Sequence, residues 1–198
     1  MNSNLSLCVY CGSRLGNDPI FAQAAKHVGR WLGEQGGQLV YGGGNNGLMG
    51  LVAQSAQEAG ARVIGVIPES MVIREWARKE CDELIVVQTM HDRKRIMAEH
   101  ANAFLALPGG IGTFEEFFEA WTWKQLGYHS KPIGLLNIQG YFDSLIAFIQ
   151  SSFKSEFMIE QQMELISIGA HAETLLTDLS TQVRDQQSTS SKSDYKNI

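Results

Sequence analysis

One stretch limits the fold more than any other: from Ala103 to Gly127 the sequence reads AFLALPGGIGTFEEFFEAWTWKQLG. Residues 103–107 are an unbroken apolar run, the composition of a strand buried on both faces. Pro108 ends the run, and Gly109, Gly110 and Gly112 follow as a turn with little side-chain bulk, where backbone N–H groups can approach an anion. From Phe114 the apolar residues Phe114, Phe117, Phe118 and Trp121 recur at helical spacing. The segment therefore reads strand, glycine turn, helix, with Thr113 as the expected N-cap. Free N–H groups and the positive end of a helix dipole make such a turn a phosphate site in waiting.

The same residues admit a plainer role. Thr113, Phe114, Glu115 and Glu116 spell a capping box, in which Glu116 reaches back to the Thr113 N–H. On spacing alone the two roles stand level.

The unit recurs along the chain. Residues 5–10 read as a first strand, Cys11 to Gly16 (CGSRLG) as a small-residue turn, and 19–35 as a helix. Residues 38–41 give a second strand, followed by GGGNNGLMG and a helix to about residue 60. Further strands are expected over 62–67, 83–87, 132–136 and 165–168, with helices over 90–101, 141–153 and 170–183. Alternation of this kind predicts one doubly wound, Rossmann-like α/β domain with a mostly parallel sheet. Its ligands sit at the carboxyl ends of the strands, the edge to which all the glycine turns belong.

Other patterns compete for attention. Gly42, Gly44 and Gly47 satisfy G-x-G-x-x-G, and Glu69 follows at about the distance expected in a dinucleotide-binding oxidoreductase. Against that, the loop follows the second strand, Pro68 interrupts the next one, and the 108–113 turn is left without a task. Cys8 and Cys11 form a C-x-x-C pair, but Cys8 lies within a strand pattern and no second Cys or His pair accompanies it. Buried structural thiols are expected there rather than a metal site. Residues 70–82 are charged and aperiodic, as in a loop or short helix over the sheet edge or a plain solvated connector. Arg93, Lys94 and Arg95 would ordinarily be a solvated helix face, yet their helix feeds directly into the strand that carries the 108–113 turn.

At 198 residues, 44% apolar and 19% charged, the chain suits one domain with a sizeable core over residues 1–183. A net charge of −5 argues against a general nucleic-acid binder. Three cysteines build no even disulfide framework, and the start lacks a signal peptide's basic and long apolar regions, so the cytoplasm is the expected address. No apolar run approaches bilayer-spanning length, so no membrane partner is expected. Residues 184–198 are polar and Ser-rich, and are expected to be disordered.

Residues 108–116 match PGGxGTxxE, a signature that resembles the LOG family, whose members resemble nucleotide phosphoribohydrolases and long carried the label lysine decarboxylase. CVYCGSR at the first turn, YGGGxxGLMG at the second and MHDRKxxM before the third extend the resemblance from Leu5 to about Phe148. It implies an enzyme that hydrolyses the N-glycosidic bond of a nucleoside 5′-monophosphate, either AMP or a cytokinin riboside 5′-monophosphate. The products are the free base and ribose 5-phosphate; no cofactor or metal is implied.

The resemblance implies Arg93 and Glu116 as the catalytic pair. Gly12, Ser13, Gly43, Gly44, Glu75, Lys94, Gly109, Gly110, Gly112, Thr113 and Thr122 fall where the family binds substrate. Glu116, close to a helix start and beside Arg93, is expected to be ionised. A homodimer with the site near the subunit interface is also implied, and Trp123, set opposite the sheet-facing stripe of its helix, agrees with a second buried surface, that of a partner or equally that of the 141–153 helix.

Two alternatives remain on the same fold. Related proteins bind molybdenum cofactor without turnover, and the dinucleotide oxidoreductase stands further off. Lysine decarboxylation needs a Schiff-base lysine with an acidic partner for the cofactor ring, and no such constellation is present. Adenine and its N6-prenyl derivatives share ribose and phosphate, so the sequence does not separate them.

Overall fold

Strands that are apolar at every position, rather than at alternate ones, need cover on both faces, and the fold supplies it. The computed structural model describes residues 5–72 and 77–194, the last of these, 190–194, as helix backbone only. Seven strands, β1 (Ser6–Tyr10), β2 (Gln38–Tyr41), β3 (Arg62–Pro68), β4 (Glu83–Val87), β5 (Ala103–Ala106), β6 (Ile133–Leu136) and β7 (Ser167–Gly169), form one parallel sheet. Their order is β4-β3-β2-β1-β5-β6-β7. The chain moves outward from β1 to β4, then returns to place β5 beside β1, so strand order reverses between those two.

Helices α1 (Pro19–Glu34), α2 (Gly47–Glu58) and α8 (Ala172–Asp194) cover one face. The short α3 (Glu69–Val72) precedes β4, and α4 (Met90–His100), α5 (Ile111–Gln125) and α6 (Asp143–Lys154) cover the other face, with the single turn α7 (Glu160–Met163) leading to β7. Side-chain alternation divides each strand between two cores: Leu7, Val9 and Leu105 join the first, while Cys8, Tyr10 and Phe104 join the second. All six are at most 5% exposed, and full burial of a side chain the size of Leu or Phe contributes about 1.5–3 kcal/mol. Gly29 and Gly33 let α1 lie close on α2, since an added Cβ would come within 2.4 Å of the Val52 carbonyl or 2.5 Å of the Ala59 side chain.

Three local expectations are revised. Pro68 does not interrupt β3; it is its last residue and lies in register with Val87, the end position where a missing N–H is tolerated. Tyr141 belongs to a turn rather than to α6, because Gln139 and Gly140 both adopt left-handed backbone just before it. The helix expected to stop at Val183 continues to Asp194, where a disordered tail was expected. Arg184 donates to the Ser180 hydroxyl, and Gln186 reaches the Ser130 carbonyl, so polar side chains tie this extension to itself and to the domain. Among the described residues no helix is long and apolar enough to cross a membrane.

Candidate active site

Loops of different origin meet where strand order reverses. The Gly12 N–H donates to the Pro108 carbonyl at 3.0 Å, and the Leu48 N–H to the Gly12 carbonyl at 3.0 Å, so the turns after β1, β2 and β5 are tied together. Gly47 makes this closeness achievable: its φ is +60°, and an added Cβ would stand 2.3 Å from the Ser13 backbone. Between the turns lies a cavity of about 870 Å³, lined by Gly12, Ser13, Gly44, Gly109, Gly110, Gly112, Thr113, Arg93 and Glu116 among others.

Helix α5 begins one turn earlier than predicted. It starts at Ile111, with Gly110 as an N-cap that has no side-chain cap bond. Thr113 is therefore buried inside the first turn rather than capping it, against Gly109. The capping-box role disappears for a geometric reason: Glu116 now falls in the second turn, beyond reach of the N-cap N–H. Its carboxylate instead receives Arg93 Nη1 at 3.1 Å.

Arg93 is held on three sides. Besides Glu116, its Nε donates to the Val66 carbonyl at 3.1 Å and its Nη2 to the Gly42 carbonyl at 3.3 Å, at the carboxyl ends of β3 and β2. Helix α4 crosses the sheet from β4 toward β5, and this route carries the guanidinium beneath those strand ends. Thr89 sets where it starts, accepting the Asp92 N–H at 3.0 Å as its N-cap. Gly42 is required by close approach, since a Cβ there would lie 1.9 Å from Arg93 Nη2.

Burial dominates the electrostatics of the pair. The side chains of Arg93 and Glu116 are 10% and 11% exposed. Desolvation pushes the Glu116 carboxyl up to about 7, against the opposing pull of Arg93. The expectation of a simply ionised Glu116 is thus revised: with no place in the first turn and little water, it is poised between its two states near neutral pH. Cys11 also lines the cavity, but burial pushes its thiol far above the usual range, so it faces the site as a neutral group.

The remaining expected site residues divide. Lys94 is buried with its ammonium on Glu115 and Glu119, at 2.9 Å from the latter, and does not line the cavity. Gly43 turns away with φ +71° and packs near Ile67 and Leu84, and Thr122 is exposed on α5 outside the cavity. Glu75 lies outside the described residues. Trp123 is half-buried. Sequence reasoning did not single out Phe21, Met49, Met71, Met90 or Tyr141, which also line the cavity. Met49 and Met90 lie within the GLMG and MHDRK stretches without having been read as lining residues, and Phe21, Met71 and Tyr141 belong to none of the quoted motifs.

Fold and site together define a doubly wound α/β protein with a glycine-walled cavity at the switch point and a desolvated carboxyl–guanidinium couple on its wall. The sequence model of the family described as "Possible lysine decarboxylase" matches residues 49–179. Cytokinin riboside 5′-monophosphate phosphoribohydrolase LOG2 of Arabidopsis thaliana is 45% identical over 170 residues, which span 86% of this chain and 80% of the relative. The LOG phosphoribohydrolase of Oryza sativa subsp. japonica is 44% identical over 181 residues, 91% of this chain and 75% of the relative. The chain belongs to the LOG family. Among solved structures, the molybdenum cofactor binding protein from Rippkaea orientalis superposes with a TM-score of 0.70 over 91% of this chain and 98% of its own, at 22% identity, which establishes a shared fold.

Proposed function

We propose that this protein hydrolyses the N-glycosidic bond of a nucleoside 5′-monophosphate, AMP or an N6-modified adenosine monophosphate, releasing the free base and ribose 5-phosphate. The observation that carries the proposal is the buried Arg93–Glu116 couple on the wall of the cavity, beside a helix N-terminus suited to a phosphate. As the bond from C1′ to the base breaks, its electron pair leaves with the base, and positive charge gathers on the ribose. The Glu116 carboxylate stabilises that charge and takes one proton of the attacking water as its oxygen bonds to C1′, while a proton from solvent neutralises the departing base nitrogen and Glu116 later returns its own to solvent. A carboxyl poised near 7 suits this work, because it can accept a proton and give it up again at neutral pH.

Arg93 does not serve as the acid, since a guanidinium keeps its proton. Fixed by two backbone carbonyls, it orients Glu116 and presents positive charge to the ligand. The names of the relatives point to the same chemistry. The family's older description fits the cavity poorly: among the described residues no lysine lines it, and Lys94 is committed to two carboxylates. A cofactor carrier has the fold alone in its favour.

We also infer a homodimer in the cytoplasm. Ile111, at the cavity, is 85% exposed and would gain cover from a second copy, and free Cys8, Cys11 and Cys81 suit a reducing compartment. Chromatography of AMP and isopentenyladenosine monophosphate after incubation with the protein tests the activity. Free base is expected with the wild type and not with Glu116→Ala; tight binding with no release by either protein would favour a carrier.

A further inference from the structure

The Gly109–Gly110 peptide at the phosphate end of the cavity has glycine on both sides, so no side chain of its own resists a flip of the peptide plane. Something else must hold it. The hydroxyl of Tyr141, 32 positions away, donates to the Gly109 carbonyl at 2.6 Å. In a planar trans peptide the C=O and the following N–H point in opposite directions. Fixing the Gly109 oxygen therefore also fixes the direction of the Gly110 N–H, on the N-cap residue of α5.

The turn that delivers Tyr141 is built at a conformational cost. Gln139 has φ +53°, an uncommon value for a residue with a side chain, and Gly140 follows at +71°. A side-chain clamp closes the turn: Asn137 donates to Asp143 at 2.7 Å and accepts the Phe142 N–H at 2.7 Å. The Tyr141 ring is then held edge-on against Phe21 of α1, centroids 5.4 Å apart, and against Phe142 at 4.8 Å. Phe21 in turn abuts Gly16, in the turn after β1. Strained backbone, a two-bond clamp and an aromatic bracket thus serve to aim one hydroxyl at one carbonyl.

We propose that Tyr141 is a positioning residue: its hydroxyl locks the Gly109–Gly110 peptide so that the N–H of Gly110 joins those of the first turn of α5 in receiving the substrate's phosphate. This deepens the proposed function and rests on it. Tyr141 acts through the loop, so its loss is felt in affinity for the phosphate end and not in bond breaking at the ribose.

The test is steady-state hydrolysis of AMP by wild type and Tyr141→Phe, with ribose 5-phosphate as competitive inhibitor and the melting temperature of each protein. Loss of one hydrogen bond of about 1 kcal/mol corresponds to roughly fivefold. The expected result is a rise of about fivefold in both KM and the inhibition constant of ribose 5-phosphate, kcat within about twofold, and a melting temperature lowered by no more than about 4 °C. KM and inhibition constant both at wild-type values, or a fall in kcat larger than the rise in KM, would overturn the proposal. Absence of base release by the wild type itself would instead overturn the proposed hydrolysis.

Discussion

Arg93 and Lys94 are neighbours on α4, both are 8% exposed, and both cross to carboxylates of α5, yet the two contacts differ in kind. Arg93 is anchored by two backbone carbonyls and meets a single carboxyl that is itself 11% exposed. Lys94 meets two carboxylates, Glu115 and Glu119, whose side chains are 52% and 24% exposed. Burial alone would push the Lys94 ammonium down, but its two partners outweigh that and raise it, while for Glu116 burial outweighs the one partner. The lesson is that pairing does not by itself settle a carboxyl's state: the access of water and the number of opposing charges do. One contact stores a carboxyl near neutrality on a cavity wall, and the other fastens two helices.

Removing the Arg93 cation breaks that comparison most severely. Arg93→Ala leaves the Gly42 and Val66 carbonyls and Glu116 without their donor, and is expected to lower kcat/KM by about a hundredfold or more and stability by about 3–5 kcal/mol. Steady-state kinetics and urea unfolding measure both. Gly42→Ala touches neither charge but drives a methyl into Arg93 Nη2. A displacement of about 1 Å in such a site costs on the order of a hundredfold or less, so kcat should fall by roughly ten- to a hundredfold while the protein still folds.

The pH dependence sharpens the comparison further. As the proposed base, Glu116 would have to be ionised to take a proton from water, and its carboxyl stands at about 7. The rate of base release should therefore fall as pH drops through about 7, approaching tenfold per unit well below it. Because its folded value lies above that of an exposed carboxyl, ionised Glu116 costs stability: the fold is favoured at low pH and loses that increment as pH rises through about 7. A flat rate profile between pH 5 and 8 would contradict a base on this carboxyl. Lys94→Met has the smallest expected effect. It keeps the packed stem and drops two partly solvated ion pairs, so roughly 1 kcal/mol of stability is lost and turnover stays within about threefold.

Much of the fold was legible because its signals are local. β2 and β4 begin and end where the alternation of apolar runs and turns puts them, and the 108–112 glycines are where a strand must give way to a helix. The start of α5 was misread because Thr113 resembles a cap, whereas Gly110 serves without any side-chain bond and Thr113 is drawn inward against Gly109. Residues 184–194 are helical despite their polar composition, because helix formation there uses bonds such as Gln186 to Ser130 that span 56 positions. Within the site, Arg93 and Glu116 were legible through the motifs that carry them. Lys94 was expected at the substrate and not as a partner of Glu115 and Glu119, since which side of α4 faces the cavity depends on how that helix crosses the sheet. Tyr141 gave no signal at all, because the carbonyl that its hydroxyl meets lies 32 positions away.

The most direct measurement separates holding the substrate from breaking it. With Glu116→Gln, which keeps the shape and an acceptor for Arg93, equilibrium binding of AMP should stay within a few-fold of the wild type while single-turnover release of adenine falls by at least about a thousandfold. Release of adenine by Glu116→Gln at the wild-type rate would contradict a catalytic role for the buried carboxyl.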